Sequence, residues 1–335
     1  MIAAFTVGPT VTAAASYELV GFDELRGWSD DDHGAALRVF LETCPDMIAP
    51  EWAKICAVAT QTPDPKSFFE AFFQPVLISD GKPMLFTGYF EPELRGSRVQ
   101  SAEYRYPVYA LPSDTSKGRY ASRRAIEEQG LLSGQGLELA WVKDPVDAFF
   151  LQIQGSGRIV FPDGSKLRLG YAGKNGHEYR SIGRELVRRG TFEAHEVSAD
   201  VIRSWVARNG EAGRELLWHN PSFVFFREVN DVSPSKGPLG AMNRSVTAMR
   251  SIAVDPVFTP LGAPVWIEKS GNDALERLMI AQDTGSAIKG AQRADIFYGT
   301  GRVAGRTAGQ IKDSGRMVTL LPRQLAFALF AGKDQ

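Results

Sequence analysis

Apolar positions recur at helical spacing through the first 75 residues and then give way to short, strand-like runs. "HGAALRVFLETC" carries apolar residues at Ala36, Leu37, Val39, Phe40 and Leu41, and "PEWAKICAVAT" follows behind a proline. In "DPKSFFEAFFQP", Asp64 is placed to cap a helix with Pro65 at its first position. Phe68, Phe69, Phe72 and Phe73 then form an aromatic stripe at helical spacing, which predicts packing against a core. From Pro75 the pattern shortens. "VLISDGKPMLFTGYFEPEL" predicts a strand, an Asp-Gly turn and a second strand. "YRYPVYALP" is extended, and "SRRAIEEQG" predicts a short helix from Ser122 that stops at Gly130. "LELAWV" and "AFFLQIQGSGRIVFPDGSKLRLGYAG" precede helices around 182–189, 199–208 and 214–218 and a strand in "PSFVFFREV".

After "SPSKGPLGAM" the chain changes again. "SVTAMRSIAVDP", "APVWIEK", "ERLMIAQDTG", "ADIFYGTG" and "GRMVTLLP" are short strands at near-regular spacing with glycine-rich turns, the pattern of a small closed barrel. The Ser/Pro/Gly stretch at 233–238 is the best candidate boundary, and a weaker one lies near 95–102. No repeat or low-complexity tract interrupts the chain.

The 335 residues suffice for two domains or one large one. A net charge of −1 gives no basis for a nucleic-acid partner or a polybasic membrane patch. The opening "MIAAFTVGPTVTAAASYELVGF" is small and apolar, lacks a basic lead and is too short to span a bilayer. It reads either as the remnant of an export signal or as a non-native leader, and no cysteine near it marks a lipid anchor. The four histidines are scattered without metal-ligand spacing, so no metal site is expected. Cys44 and Cys56 are the two cysteines. They fit either a disulfide clip or two buried thiols.

Four stretches combine aromatics, amides, hydroxyls and glycines: "FTGYFEP", "QIQGSGRI", "GYAGKNGHEYRSIG", and the pair "AQDTGSAIKG" and "RADIFYGTG". A sugar-binding groove needs that mixture. Aromatic faces pack on pyranose C–H surfaces, amides and hydroxyls bond ring hydroxyls, and glycines let backbone approach the ligand. Each stretch alone also reads as an ordinary turn or strand end; "QGSGR" opens no nucleotide-binding helix, and Asn-Gly is a common hairpin turn. Two carboxylates stand out, Asp283 and Asp295. On a strand, Asp295 shares a face with Phe297, which would desolvate it, and with Arg293, which would pair with it. Those two influences oppose each other, and the residues alone leave the balance open.

With these motifs the sequence resembles the membrane-bound lytic murein transglycosylase A family. The resemblance rests on "GYFEP", "FFLQIQGSGRI", "GYAGKNGHEYRSIG", "NPSFVFF", "GPLGAM", "SIAVDPVFTPLGAPVWI", "AQDTGSAIKG", "RADIFYGTG" and "AGRTAG", and it runs from about Asp64 to Pro322. It implies a mainly β protein with peripheral helices. A double-psi β-barrel domain is expected from residues 1–100 and 237–335, the N-terminal helices included. A smaller β-rich domain is inserted at 101–236, and the two form a groove for a glycan strand. The implied reaction cleaves the β-1,4 bond between N-acetylmuramic acid and N-acetylglucosamine in peptidoglycan. The muramoyl C6 hydroxyl attacks its own C1 and leaves a 1,6-anhydro ring. No cofactor is needed.

Carried over residue by residue, the resemblance makes Asp295 the catalytic acid, with Asp283 nearby and Thr87 in the neighbouring strand. Motif position adds Gly88, Tyr89, Gln152, Gln154, Gly155, Ser156, Tyr171, Lys174, Asn175 and Tyr179 as expected substrate contacts. Peptidoglycan strands are then the partner of a monomer in the periplasm. A lipid anchor on the outer membrane is compatible with the native precursor. Export also favours a Cys44–Cys56 bridge. Two rival readings remain: a two-carboxylate glycoside hydrolase using Asp283, and a glycan-binding or wall-loosening double-psi barrel that cuts nothing.

Overall fold

The computed structural model describes residues 15–331 apart from Pro234 and Asn272. Most of the apolar N-terminal leader and one residue of the Ser/Pro/Gly boundary stretch therefore lie outside the described residues. Among the described residues there are fifteen strands, in chain order β1 (Ser16–Leu19), β2 (Phe73–Ser79), β3 (Leu85–Glu91), β4 (Glu93–Ser97), β5 (Tyr106–Tyr109), β6 (Glu138–Val142), β7 (Gly157–Val160), β8 (Lys166–Lys174), β9 (Val224–Glu228), β10 (Ser251–Val254), β11 (Pro264–Lys269), β12 (Leu275–Thr284), β13 (Arg293–Thr300), β14 (Lys312–Asp313) and β15 (Gly315–Pro322). Ten α-helices accompany them: α1 (His33–Thr43), α2 (Pro50–Ala59), α3 (Pro65–Phe72), α4 (Arg123–Glu128), α5 (Pro145–Gln154), α6 (Ile182–Arg188), α7 (Ala199–Arg208), α8 (Gly210–Trp218), α9 (Gly301–Ala308) and α10 (Arg323–Ala331).

Two sheets carry the frame and the helices lie around them, as the β-based reading expected. The first has the order β1-β2-β15-β11-β12-β10-β13-β3-β14, and the second β5-β6-β4-β7-β8-β9. In the first sheet, one buried cluster draws Phe86 from β3, Ile252 from β10, Val265 from β11, Met279 from β12, Ile296 from β13 and Met317 from β15. Strands from opposite ends of the order share that core, so the sheet curls around it as a barrel. The intervening residues face outward: Trp266, Leu278, Ile280, Val318 and Leu320 pack with Phe40, Phe68, Phe69 and Phe73 beneath the N-terminal helices. Both faces of these strands are thus covered, which explains why "APVWIEK" and "RLMIAQ" read as continuous apolar runs.

The N-terminal helices form as expected. Asp64 accepts the backbone N–H groups of Lys66 and Ser67 at the start of α3. The helix ends at Phe72, one residue before the predicted stripe does, and Phe73 opens β2. Cys44 and Cys56 are joined as a disulfide between the ends of α1 and α2. The two strands flanking Asp80–Gly81 both form, yet they do not pair with each other. β2 lies between β1 and β15, and β3 lies between β13 and β14.

β3 leads through Pro92 straight into β4, so the chain passes from the first sheet to the second within one residue. At this junction Glu91 is fully buried. It meets Arg158 at 2.8 Å, Arg168 at 3.3 Å and the Thr300 hydroxyl at 2.8 Å. Gln154 reinforces the joint by accepting the backbone N–H of Phe90 at 3.1 Å.

Candidate active site

Strand β10 sets the site. Its Ala253 is paired on one side with Asp283 of β12 and on the other with Asp295 of β13. The two carboxylates therefore flank one small residue, roughly 10 Å apart at Cα by two inter-strand spacings. A bulge makes this possible. The register slips between Ile252 and Ala253, so Asp283 stands where Gln282 would otherwise pair. Without it, alternation would set Asp283 on the same face as Met279 and Ala281, inside the barrel. Gln282 is instead buried and accepts from the Ser251 hydroxyl.

Asp295 lies on β13 opposite Thr87 of the parallel strand β3. The Thr87 hydroxyl donates to Asp295 Oδ1 at 2.5 Å, and Arg293 donates to the Thr87 oxygen at 2.8 Å. The other guanidinium nitrogen of Arg293 is anchored on the carbonyls of Leu85 and Ala294. Among the described residues Arg293 makes no direct ion pair with Asp295; it reaches the acid through Thr87. Phe297 shares the face of Asp295 and joins Tyr89, Val246, Ala253 and Ile288 in a buried cluster. The alternation read from "RADIFYG" is thus the observed one. Burial pushes the Asp295 carboxyl above the ordinary carboxylate range, against the downward pull of the Thr87 hydrogen bond and the Arg293 charge.

Asp283 is held differently. Its Oδ1 accepts the backbone N–H groups of Ala241 and Thr284 at 3.0 and 2.8 Å, and its Oδ2 accepts from the Tyr89 hydroxyl at 3.1 Å. Burial pushes it up to about 6, while those three donors pull it down and the nearby Asp295 charge pushes it up. Burial likewise raises the Tyr89 phenol, whose ring leans on Phe297 at 5.1 Å.

A cavity of about 280 Å³ opens over both acids. The barrel supplies Gly88, Tyr89, Ala253, Asp283, Arg293 and Asp295, and the second sheet and its helices supply Arg123, Gln152, Ile153, Gln154, Tyr179, Asn220 and Ser222. The site thus lies between the two β units. Ile153 and Tyr179 are part-exposed there and offer apolar surface to a sugar face. Gln152 Oε1 accepts from Arg123 at 2.7 Å and from the backbone N–H of Val224 at 3.2 Å. Both partners can only donate, so the amide orientation is fixed and the NH₂ remains to serve the cavity.

The expected contacts divide. Thr87, Gly88, Tyr89, Gln152, Gln154 and Tyr179 gather around the acids. Gly155, Ser156, Tyr171, Lys174 and Asn175 do not line this cavity. Gly155 closes α5 in the left-handed region at φ 76°. Asn175 is fully buried and uses its whole amide inside the protein. It donates to the carbonyls of Ala121 and Pro221 and accepts from the backbone of Phe223 and His177. Gly88 also has a packing reason to be glycine, because a Cβ there would come within 2.7 Å of the Ala308 backbone in α9. Sequence reasoning missed Arg123, a buried guanidinium between the Phe149 and Phe223 rings that also bonds Glu127 and the carbonyls of Asn220 and Ser222. In "SRRAIEEQG" it looks like any helix-surface arginine, and its partners lie far along the chain.

Comparison with known proteins adds the following. Residues 85–227 match the family model described as the MltA specific insert domain, and residues 250–321 match the 3D domain. The chain is 37% identical over 293 residues to the membrane-bound lytic murein transglycosylase A of Vibrio cholerae, spanning 82% of this chain and 77% of the relative. It is 41% identical over 256 residues to the protein of that name from Escherichia coli strain K12, spanning 74% and 68%. Among solved structures, a membrane-bound lytic murein transglycosylase from Agrobacterium tumefaciens superposes with a TM-score of 0.85 at 33% identity, covering 93% of this chain and 99% of the other. MltA from Escherichia coli with bound chitohexaose superposes at 0.72 with 30% identity, covering 87% and 90%.

Proposed function

This chain belongs to the membrane-bound lytic murein transglycosylase A family, and from that premise we propose that Asp295 is the single acid–base group with which it cleaves peptidoglycan. The observation that carries the reading is the Arg293–Thr87–Asp295 relay inside the cavity between the two β units. A guanidinium only donates, so the single proton of the Thr87 hydroxyl points at Asp295 Oδ1. When Asp295 is protonated, its own proton therefore sits on Oδ2. Burial shifts the balance toward that protonated form.

The reaction then runs with one carboxyl group. Asp295 Oδ2–H gives its proton to the oxygen of the β-1,4 bond between N-acetylmuramic acid and N-acetylglucosamine, and the C1–O bond breaks. The muramoyl C6 hydroxyl attacks C1, and its proton passes to the Asp295 carboxylate. The nucleophile is tethered to the sugar, so no water needs to be bound and aimed, and the effective-concentration advantage of an intramolecular attack is kept. The Thr87 hydrogen bond stabilises the carboxylate that forms midway. Gln152 NH₂ and Tyr179 are suited to an acetamido oxygen and a pyranose face. The residues expected as contacts but lying outside this cavity, Tyr171 and Lys174 among them, would serve only sugars further along the strand.

The family's name places its members at a membrane; a periplasmic location facing the wall is part of this proposal. No helix among the described residues is long and apolar enough to cross a membrane. The division into a barrel (1–100 and 237–335) and an insert (101–236) is likewise proposed. The two sheets support it, although β4 of the second sheet precedes residue 101.

Asp295→Asn tests the assignment. It should keep the fold and glycan binding and lose product formation on purified sacculi; anhydro-muropeptides released at the wild-type rate would exclude Asp295. A second reading has one observation in its favour, the carboxyl of Asp283 with a value of about 6 on the other side of Ala253. A hydrolase using both carboxylates would leave reducing ends. Mass spectrometry separates the two, since an anhydro end is one water lighter.

A further inference from the structure

A second cavity, of about 420 Å³, adjoins the first and shares Ala287 and Arg293 with it. Its place follows from strand register. Leu85 pairs with Arg293 as Thr87 pairs with Asp295, in the same parallel strands. Two residues along a strand return to the same face, about 7 Å away. The second cavity therefore begins one step beyond the acid, on the acid's own face, at the N-terminal ends of β3 and β13.

Its lining differs in kind from the first. Pro83, Met84, Leu85 and Ala287 give an apolar floor, and Lys82 and Lys289 stand at the rim. Each lysine is pinned by a nearly buried carboxylate, Lys82 by Asp80 at 3.3 Å and Lys289 by Asp255 at 3.6 Å. Those carboxylates are also held by backbone N–H groups, Asp80 by Lys82 and Asp255 by Val257 and Gly290. The lysine side chains remain 64% and 59% exposed. Counting Arg293, three cations line this cavity; Lys82 is paired with Asp80, which lines it too, and Lys289 with Asp255 behind the rim.

With the lactyl carboxyl of the muramoyl residue bound in its amide to the stem peptide, the sugars of the glycan backbone are uncharged and do not call for such a rim. What departs from the backbone beside the cleaved bond is the lactyl-linked stem peptide on the muramoyl residue, which carries free carboxylates and small alanyl side chains. We infer that the cavity of Lys82, Lys289 and Leu85 is a stem-peptide subsite that takes an acidic, alanine-bearing peptide attached to the sugar at Asp295. This rests on the transglycosylase reading above, because the peptide reaches the cavity only if the muramoyl residue is the sugar beside the acid.

The test compares two substrates of equal glycan length, one carrying stem peptides and one stripped of them by an amidase, with wild type and Lys82→Ala/Lys289→Ala. Both lysines are exposed, and Asp80 and Asp255 keep their backbone N–H donors in the variant, whose fold is checked by its Tm. The expected result is a roughly three- to tenfold lower kcat/KM on the peptide-bearing glycan, mainly through KM, with a smaller loss on the stripped glycan, which keeps only the lactyl carboxylate. Added salt should shrink the wild type's preference toward that of the variant. An unchanged ratio between the two substrates, or an equal loss on both, overturns the subsite and leaves the role of Asp295 standing. If wild type releases anhydro ends from neither substrate, the transglycosylase mechanism fails and the subsite falls with it.

Discussion

Thr87→Val removes two hydrogen bonds, the one from Thr87 to Asp295 and the one from Arg293 to Thr87, and almost no volume. In wild type the Thr87 hydroxyl donates to Asp295 Oδ1, which favours the carboxylate and opposes the effect of burial. A hydrogen bond to a charged acceptor is worth about 1.5–3 kcal/mol, and a tenfold change in a protonation equilibrium is about 1.4 kcal/mol. Without the bond, Asp295 should hold its proton to higher pH, and the alkaline limb of kcat should move up by about one to two pH units. The direction depends on Arg293. Freed from Thr87, it could swing onto Asp295 and pull the limb down. Its other nitrogen is anchored on two main-chain carbonyls, Leu85 and Ala294, which holds it back.

The assay is release of anhydro-muropeptides at saturating sacculi across the pH range, which reports groups of the bound enzyme. The variant should also turn over more slowly at its optimum, because the midway carboxylate loses its donor. Thr87→Ser keeps the hydroxyl and should restore the wild-type profile. A limb that moves to lower pH in Thr87→Val would refute the relay and put Arg293 in direct contact with the acid. A profile that does not move would mean that Asp295 is not the titrating group.

Asp283→Asn can keep every contact of the wild-type residue, with Oδ1 accepting the two N–H groups and the new NH₂ donating to Tyr89, so it should fold and lose activity less than Asp295→Asn does; an equal loss in both points to a two-carboxylate mechanism. Its stability gain also has a sign. The folded value of about 6 lies above the unfolded carboxylate value, so wild type is at its most stable, relative to Asn, below about pH 4. It loses that stability as pH rises through 6, and the Tm of Asp283→Asn measured against wild type should climb over the same window and then level off. The Cys44–Cys56 bridge closes a short loop with a sequence separation of 12, worth about 3 kcal/mol by loop entropy. Titration of the denatured, unreduced protein should find no free thiol, and reduction should lower the Tm.

Local chemistry was readable where a local rule decides the outcome. Asp64-Pro65 announced α3, and alternation around Asp295 sorted Phe297 to one face and Ala294 and Ile296 to the other. The same Asp-Pro signal stands at Asp144-Pro145, where Asp144 caps α5. There it was submerged in a long apolar stretch, although that helix delivers Gln152 and Gln154 to the cavity. Pairing was not readable from the turn at Asp80-Gly81, because a turn fixes where a chain reverses and not which distant strand offers the better face. Asp283 is the sharpest case. Period-two reasoning sends it into the barrel, and one bulged residue turns it toward the cleft. Asn175 failed in the opposite direction, since its motif resembles a ligand loop while its four hydrogen bonds are all spent on joining three segments of backbone.

The placement of the charges explains why one carboxyl can be kept poised in such a site. Burying a charge without a partner is costly, and two acids near the cleft, Glu91 and Asp295, answer that cost in opposite ways. Glu91 faces two guanidiniums and a hydroxyl, and at the turn from β3 to β4 it ties the two walls of the groove together. Asp295 of β13, which pairs with Thr87 four residues before Glu91 on β3, has its arginine set one group away, behind Thr87. A direct Arg293 pair would have made Asp295 a second Glu91, tied into a structural salt bridge. Interposing a hydroxyl keeps enough positive field to steady the carboxylate when it forms, and leaves burial strong enough to return the proton. The difference between the structural acid and the reactive one is then a single threonine, and that is why Thr87 rather than Arg293 is the residue whose loss should be read in the pH profile.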